Sequence, residues 1–238
     1  MTSEAKQRIQ IVLAIAIAVS AARAGYIVYQ RRSAAKQEEA AKQAAPLKAD
    51  YYVTPKKLRP YDLKSAQHLC AQPVWVKEGY RYTYYPFDPA RKKSDFSKAA
   101  GLLLPLEKLN IKDVVLDASP GSADQRQVMA VFEKDSESFA FPIGSTKAGE
   151  FQIDSDEMLF IQDPHDLYKH WPADVWNAID THQVKPGMNE LQSDFAIGMG
   201  MPDKSSDSSI RTLHYPNGGQ PLVIVFRNDQ AAEITPGS

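Results

Sequence analysis

The stretch from Asp163 to His182 holds side chains of the types that carry chemistry, among them Asp163, His165, Asp166, His170 and His182. Imidazole nitrogen with carboxylate oxygen makes a zinc ligand set or a general acid/base pair. The spacing argues against both. His165 and His170 are five residues apart, which puts them on different faces of a helix, and no HExxH run or cysteine partner accompanies them. Asp163 and Asp166 sit where a helix should start, a common reason for aspartate. The serines around Lys204-Ser205-Ser206-Asp207-Ser208-Ser209 read as a solvated loop, with no GxSxG elbow anywhere in the chain. Gly198-Met199-Gly200 is too short for a dinucleotide loop. Cys70 is the single cysteine, which excludes an internal disulfide and a cysteine zinc site. A small buried apolar side chain is its expected role. The expectation is a non-enzyme with no metal and no cofactor.

The chain has 238 residues, 43% hydrophobic and 24% charged, with a net charge of -1. That composition folds, and it lacks the basic footprint that nucleic acid demands. The aromatic run Tyr80-Arg81-Tyr82-Thr83-Tyr84-Tyr85 suggests a stacking platform for single strands, but without interleaved Lys and Arg it reads better as a half-buried strand.

Elements that would position these residues follow from patterning. Residues 1–8 are a polar tail with Lys6 and Arg8. Residues 9–30 carry the apolar positions Ile11, Leu13, Ile15, Ile17, Val19, Tyr26, Ile27, Val28 and Tyr29. As one helix, Ile11 to Tyr29 covers about 28 Å, close to a bilayer core. Arg23 would snorkel, and Tyr26 and Tyr29 would sit in the interfacial belt. The expectation is a single-pass membrane anchor, with a cleaved secretory signal as the rival reading. Residues 31–50 form a polar tether, with Glu38 and Lys42 at helical i,i+4 spacing. Residues 51–162 are β-rich: short apolar and aromatic runs separated by turn residues point to a small barrel or curled sheet. Glu133 to Glu137 reads as a hairpin turn. Residues 163–238 begin with two helix starts, at Asp163-Pro164 and at Pro172-Ala173, which bury Trp171, Val175, Trp176 and Ile179.

The last quarter is more specific. Pro186-Gly187-Met188-Asn189 opens a short capped helix, and Gly198, Gly200 and Pro202 stop it. Two strands follow, around Leu213–Tyr215 and Leu222–Phe226, joined through Asn217-Gly218-Gly219. Gly187-Met188-Asn189, Ile197-Gly198-Met199-Gly200-Met201-Pro202, His214-Tyr215 and Val223-Ile224-Val225-Phe226-Arg227-Asn228 together resemble the SmpA/OmlA (BamE-like) family over about residues 180–235. The chain departs from that family at Asn189, where threonine is usual, and in lacking a lipidated cysteine. The resemblance implies a helix-plus-hairpin binding scaffold.

The fold class expected is therefore α+β: a transmembrane helix, a β-rich middle and a C-terminal helix with an antiparallel hairpin. The function expected is a membrane-anchored, periplasmic protein-binding or scaffolding module of the cell envelope. Its partners would be the membrane, through the N-terminal helix, and a protein of unknown identity, but not nucleic acid. The contact residues expected are Leu213, Tyr215, Leu222, Ile224 and Phe226, where a sheet edge adds a partner's strand. Two alternatives are a ligand-binding domain with Trp75 and Tyr80–Tyr85 lining an apolar pocket, and a His/Asp metal-dependent hydrolase.

Overall fold

The structure is a computed structural model that describes residues 49–77, 82–204 and 209–237, together with Arg23, Gly25, Tyr26, Tyr29, Gln30 and Arg32. The chain divides into two units, residues 1–52 and 53–238. In the first, Tyr26 and Tyr29 are helical and exposed, and Gln30 Nε2 donates to the Tyr26 hydroxyl one turn away at 3.0 Å.

The expected single-pass anchor is corrected here. Among the described residues no helix is long and apolar enough to cross a membrane. In the sequence the uncharged run is interrupted at Arg23, and twelve residues would reach only about 18 Å as a helix, against a hydrocarbon core of about 30 Å. Ile11, Leu13, Ile15, Ile17, Val19, Ile27 and Val28 lie outside the described residues, as does nearly all of the tether. The single-pass periplasmic localisation and the membrane as a partner fall with the anchor.

The α+β class is corrected as well. Among the described residues strand takes 41% and helix 24%, and the strands form three antiparallel sheets. The helices of the second unit are short, eight residues at most, so its backbone is organised mainly by ladder bonds.

The second unit opens with an extended lead-in fastened by Arg59 Nε to Asp156 and Lys57 Nζ to Glu157, both at 2.8 Å. Asp62 then starts α1 (Leu63–Ala66) with a capping box. Its carboxylate accepts from the Ser65 N–H at 2.7 Å, and Ser65 Oγ accepts from the Asp62 N–H at 3.1 Å. A 3₁₀ turn (Gln67–Ala71) follows, then β1 (Val74–Val76), β2 (Thr83–Asp88), β3 (Lys93–Ser94), β4 (Gly101–Leu102) and β5 (Lys108–Leu109). A long meander comes next: β6 (Ile111–Ser119), β7 (Ser122–Lys134), β8 (Glu137–Lys147) and β9 (Glu150–Ile153). Asp135-Ser136 and Ala148-Gly149 both have positive φ at the two turn positions, the geometry that matches strand twist in a two-residue hairpin. The chain continues through α2 (Ser155–Met158), β10 (Leu159–Phe160), α3 (Pro164–Leu167), α4 (Ala173–Asp180), α5 (Glu190–Ile197), β11 (Met201–Pro202), β12 (Ile210–Tyr215), β13 (Leu222–Arg227) and β14 (Gln230–Pro236).

The largest sheet runs β3-β2-β8-β7-β6, with β4 and β9 as side branches. Both of its faces are apolar. One carries Phe132, Phe141, Ile143, Val114 and Val128 toward α1, and the other gathers Phe87, Val115, Met129, Val131 and Ala140. The second set can be dry only if the sheet curls over it. The curl is fastened at its two outer strands by a side chain: Asp117 of β6 accepts from the Ser94 N–H of β3 at 2.5 Å.

A small sheet, β10-β1-β5, stands between two cores. Strand alternation sends Val74, Val76, Leu109 and Leu159 into the core of the large sheet. Trp75 and Phe160 point the other way, into a core shared with Trp171, Trp176, Phe195 and Tyr215. The third sheet, β11-β12-β13-β14, closes that second core.

Candidate functional site

The residues picked for chemistry do not converge. His165 is a clip: Nδ1 lies 3.1 Å from Asp163 Oδ1, Nε2 lies 3.1 Å from Asp180 Oδ1, and the ring stacks on Trp176 with centroids 4.0 Å apart. It joins the start of α3 to the end of α4. Asp163 also caps α3 by accepting from the His165 N–H at 2.9 Å. His182 Nδ1 meets the Ala196 carbonyl at 2.9 Å, and His170 edges against Trp171. Asp166 lies in the first turn of α3. Among the described residues no three His, Cys, Asp or Glu side chains stand close enough to hold a metal ion. Cys70 is partly buried beside the core of the large sheet, and its thiol is pushed up, first by burial and then by Asp113.

The aromatic run is divided between cores rather than lining one pocket. Tyr84 is buried edge-on to Phe132 and Phe139, Tyr85 packs on Phe96, and Trp75 belongs to the second core. Tyr80 and Arg81 lie outside the described residues.

The strand pair picked for partner binding faces inward. Leu213, Tyr215, Ile224 and Phe226 are at most 1% exposed, and Leu222 packs against the same core. Register explains it: Leu213 pairs with Ile224 and Tyr215 with Leu222, so all five side chains share the face that covers α4 and α5. Tyr215 is fitted closely. A Cβ at Gly200 would stand 2.6 Å from its Cζ, so only glycine lets β11 lie across the ring. Its hydroxyl is buried beside the Asp194 carboxylate, and burial first, then that carboxylate, pushes the phenol far above its usual range. At the rim of this core Arg211 pairs with Glu190 at 2.8 Å. Burial raises the Glu190 carboxyl, and Arg211 partly offsets it.

The outer face of the same sheet is different. Met201 pairs with His214, His214 with Val223, and Thr212 with Val225, so Met201, Val223, Val225 and Ile210 point away from the core. Val223, Val225 and Ile210 are half-buried, and Met201 is 62% exposed. Polar pairs frame the stripe: His214 Nε2 meets Asp203 at 3.0 Å, and Arg227 donates to Glu233 at 2.9 Å. Pro202 has no N–H to offer, which blunts the β11 edge against casual strand addition. The opposite edge is partly covered, since Ala231 of β14 exchanges both backbone bonds with the Gly187–Met188 segment. The sequence did contain a signal for this face: the residues alternating with Ile224 and Phe226 are valines, and β-branched residues at outward positions mark a surface that is not simply solvated.

Comparison with protein-family models, with curated proteins and with solved structures finds no match.

Proposed function

We propose that residues 53–238 form a non-catalytic protein-binding module that presents the outer face of the β11–β14 sheet. The observation that carries this reading is the apolar stripe of Met201, Val223, Val225 and Ile210, on a face turned away from the unit's own core and framed by polar pairs. Apolar side chains rimmed by polar ones are the anatomy of a contact surface. Met201 and Met199 suit the purpose, because an unbranched thioether adapts to a partner's shape. The likeness of residues 187–228 to SmpA/OmlA motifs supports the same reading, since that resemblance implies a binding scaffold.

A photo-crosslinking residue at Met201 or at Val223 tests this in the cells that make the protein. The expected result is one discrete adduct at both positions, lost when Val225→Lys is added, with none from Lys64 on α1. Adducts of equal yield from Lys64, or none from either strand position, would sink the reading.

A further inference from the structure

The two hairpins that meet where the large sheet curls over leave an open groove of about 790 Å³ between them. Arg91, Lys92 and Lys93 line it from the β2–β3 side, and Arg126 from β7. Asp117 is the one carboxylate in the lining, which holds four cations, while Asp88 and Asp113 stand outside it beside Arg91 and Lys92.

The single acid is already engaged. Asp117 is 3% exposed, with one oxygen accepting from the Ser94 N–H at 2.5 Å and the other from the Ala118 N–H at 2.7 Å. The cations are held loosely by comparison. Arg91 stands 3.7 Å from Asp88 and Lys92 stands 3.5 Å from Asp113, both beyond good hydrogen-bond length. Arg126 gives one guanidinium nitrogen to the Leu116 carbonyl at 3.0 Å, which anchors the side chain on β6 and leaves its other donors available. Among the described residues Lys93 has no ion-pair partner. The sequence hid the arrangement, because Arg126 lies far along the chain from Arg91-Lys92-Lys93 and only the curl brings β3 beside β6.

We propose that this groove binds a small ligand carrying a diphosphate group. The lining's cations suit a doubly phosphorylated group, whose terminal phosphoryl alone carries roughly −1.5 to −2 at neutral pH. Planar guanidinium forks and ammonium donors on both walls suit tetrahedral oxyanions. Ser119 and Ser122 at the β6–β7 turn add hydroxyl donors on the same lining. This goes beyond protein binding by the β11–β14 sheet and does not depend on it, since the groove lies on the other large sheet.

Inorganic pyrophosphate and ADP, titrated separately into the full chain and followed by amide chemical shifts and calorimetry, test the proposal. The expected result is a saturable shift confined to residues 91–94 and 116–126. Arg126→Gln and Lys93→Gln should each weaken binding about tenfold, while Arg227→Gln on the other sheet leaves it unchanged. Lys93→Gln guards against a folding artefact in Arg126→Gln, because the Lys93 ammonium supports no internal bond. Tighter binding of ADP than of pyrophosphate would mark a diphosphate ester as the source, and equal binding the inorganic ion; both support the site. Shifts scattered over the whole surface, no saturation, or an equal loss with Arg227→Gln would overturn it.

Discussion

The two large sheets are built from the same alternation and use it differently. In the β3-β2-β8-β7-β6 sheet both faces are dry: the side chains turned from the first core meet Phe87, Val115 and Met129 under the curl. In the β11–β14 sheet one face is as dry as any part of the molecule, and the other keeps Val223, Val225 and Met201 against water. A curled sheet satisfies its second face from its own strands. A sheet of four short strands cannot curl far enough, so its second face is left to a partner or to solvent. The difference teaches where to look for contact, which is on the sheet that cannot close.

Four measurements would break or sharpen that contrast. The largest effect belongs to the two cores. Phe132→Ala and Phe226→Ala should each cost about 3–5 kcal/mol. Because β1 and β10 feed both cores, scanning calorimetry should show a single transition of the 53–238 unit lowered by either change. Two transitions, each moved by only one variant, would mean that the cores are independent. Next comes the seam. Asp117→Ala removes two charge-assisted hydrogen bonds and should cost about 2–3 kcal/mol by urea unfolding. It should also speed amide exchange at Ser94 and Ala118, and unchanged exchange there would show the curl to be held by packing alone. Gly200→Ala places a methyl against the Tyr215 ring and should cost about 1–3 kcal/mol. Pairing it with Tyr215→Leu should give a loss smaller than the two single losses added, and strict additivity would contradict the clash.

The smallest effect is on pH dependence. Burial lifts the Glu190 carboxyl above its ordinary value. Its contribution to stability is therefore fully present below the ordinary glutamate pKa and is lost as pH rises through the raised one. Glu190→Gln should flatten the stability profile across that window. An unchanged slope would assign the slope to other carboxylates.

Much of the local structure was legible in the residues. Asp62, Asp163 and Asn189 cap helices as their types suggest, and the turn between β7 and β8 falls at Asp135-Ser136, inside the expected Glu133–Glu137. Prolines misled. Pro86 reads as the end of a strand, yet β2 runs through it to Asp88, with Pro86 opposite Phe139. Pro142 sits inside β8 opposite the bulge between Val128 and Met129, which absorbs the missing donor. What the sequence could not show was facing. Leu213, Tyr215, Ile224 and Phe226 look like a sticky strand pair, and only the position of α4 and α5 decides that they point inward. The basic groove was hidden for a related reason: its walls come from the β2–β3 and β6–β7 hairpins, and β3 and β6 are not neighbours in the ladder order but are tied through Asp117.

The three residues of β1 set a rule of parity for the whole unit. Val74 and Val76 go to one core and Trp75 to the other. A ribosome releases Trp75 long before Phe195 and Phe226, so the second core cannot be complete until its last strands are made. A fragment beginning at residue 163 would lack both Trp75 and Phe160, the aromatics that the early chain lends to it. By the same parity, a one-residue insertion within β1 would post tryptophan and valine to each other's addresses, disabling two cores with a single codon.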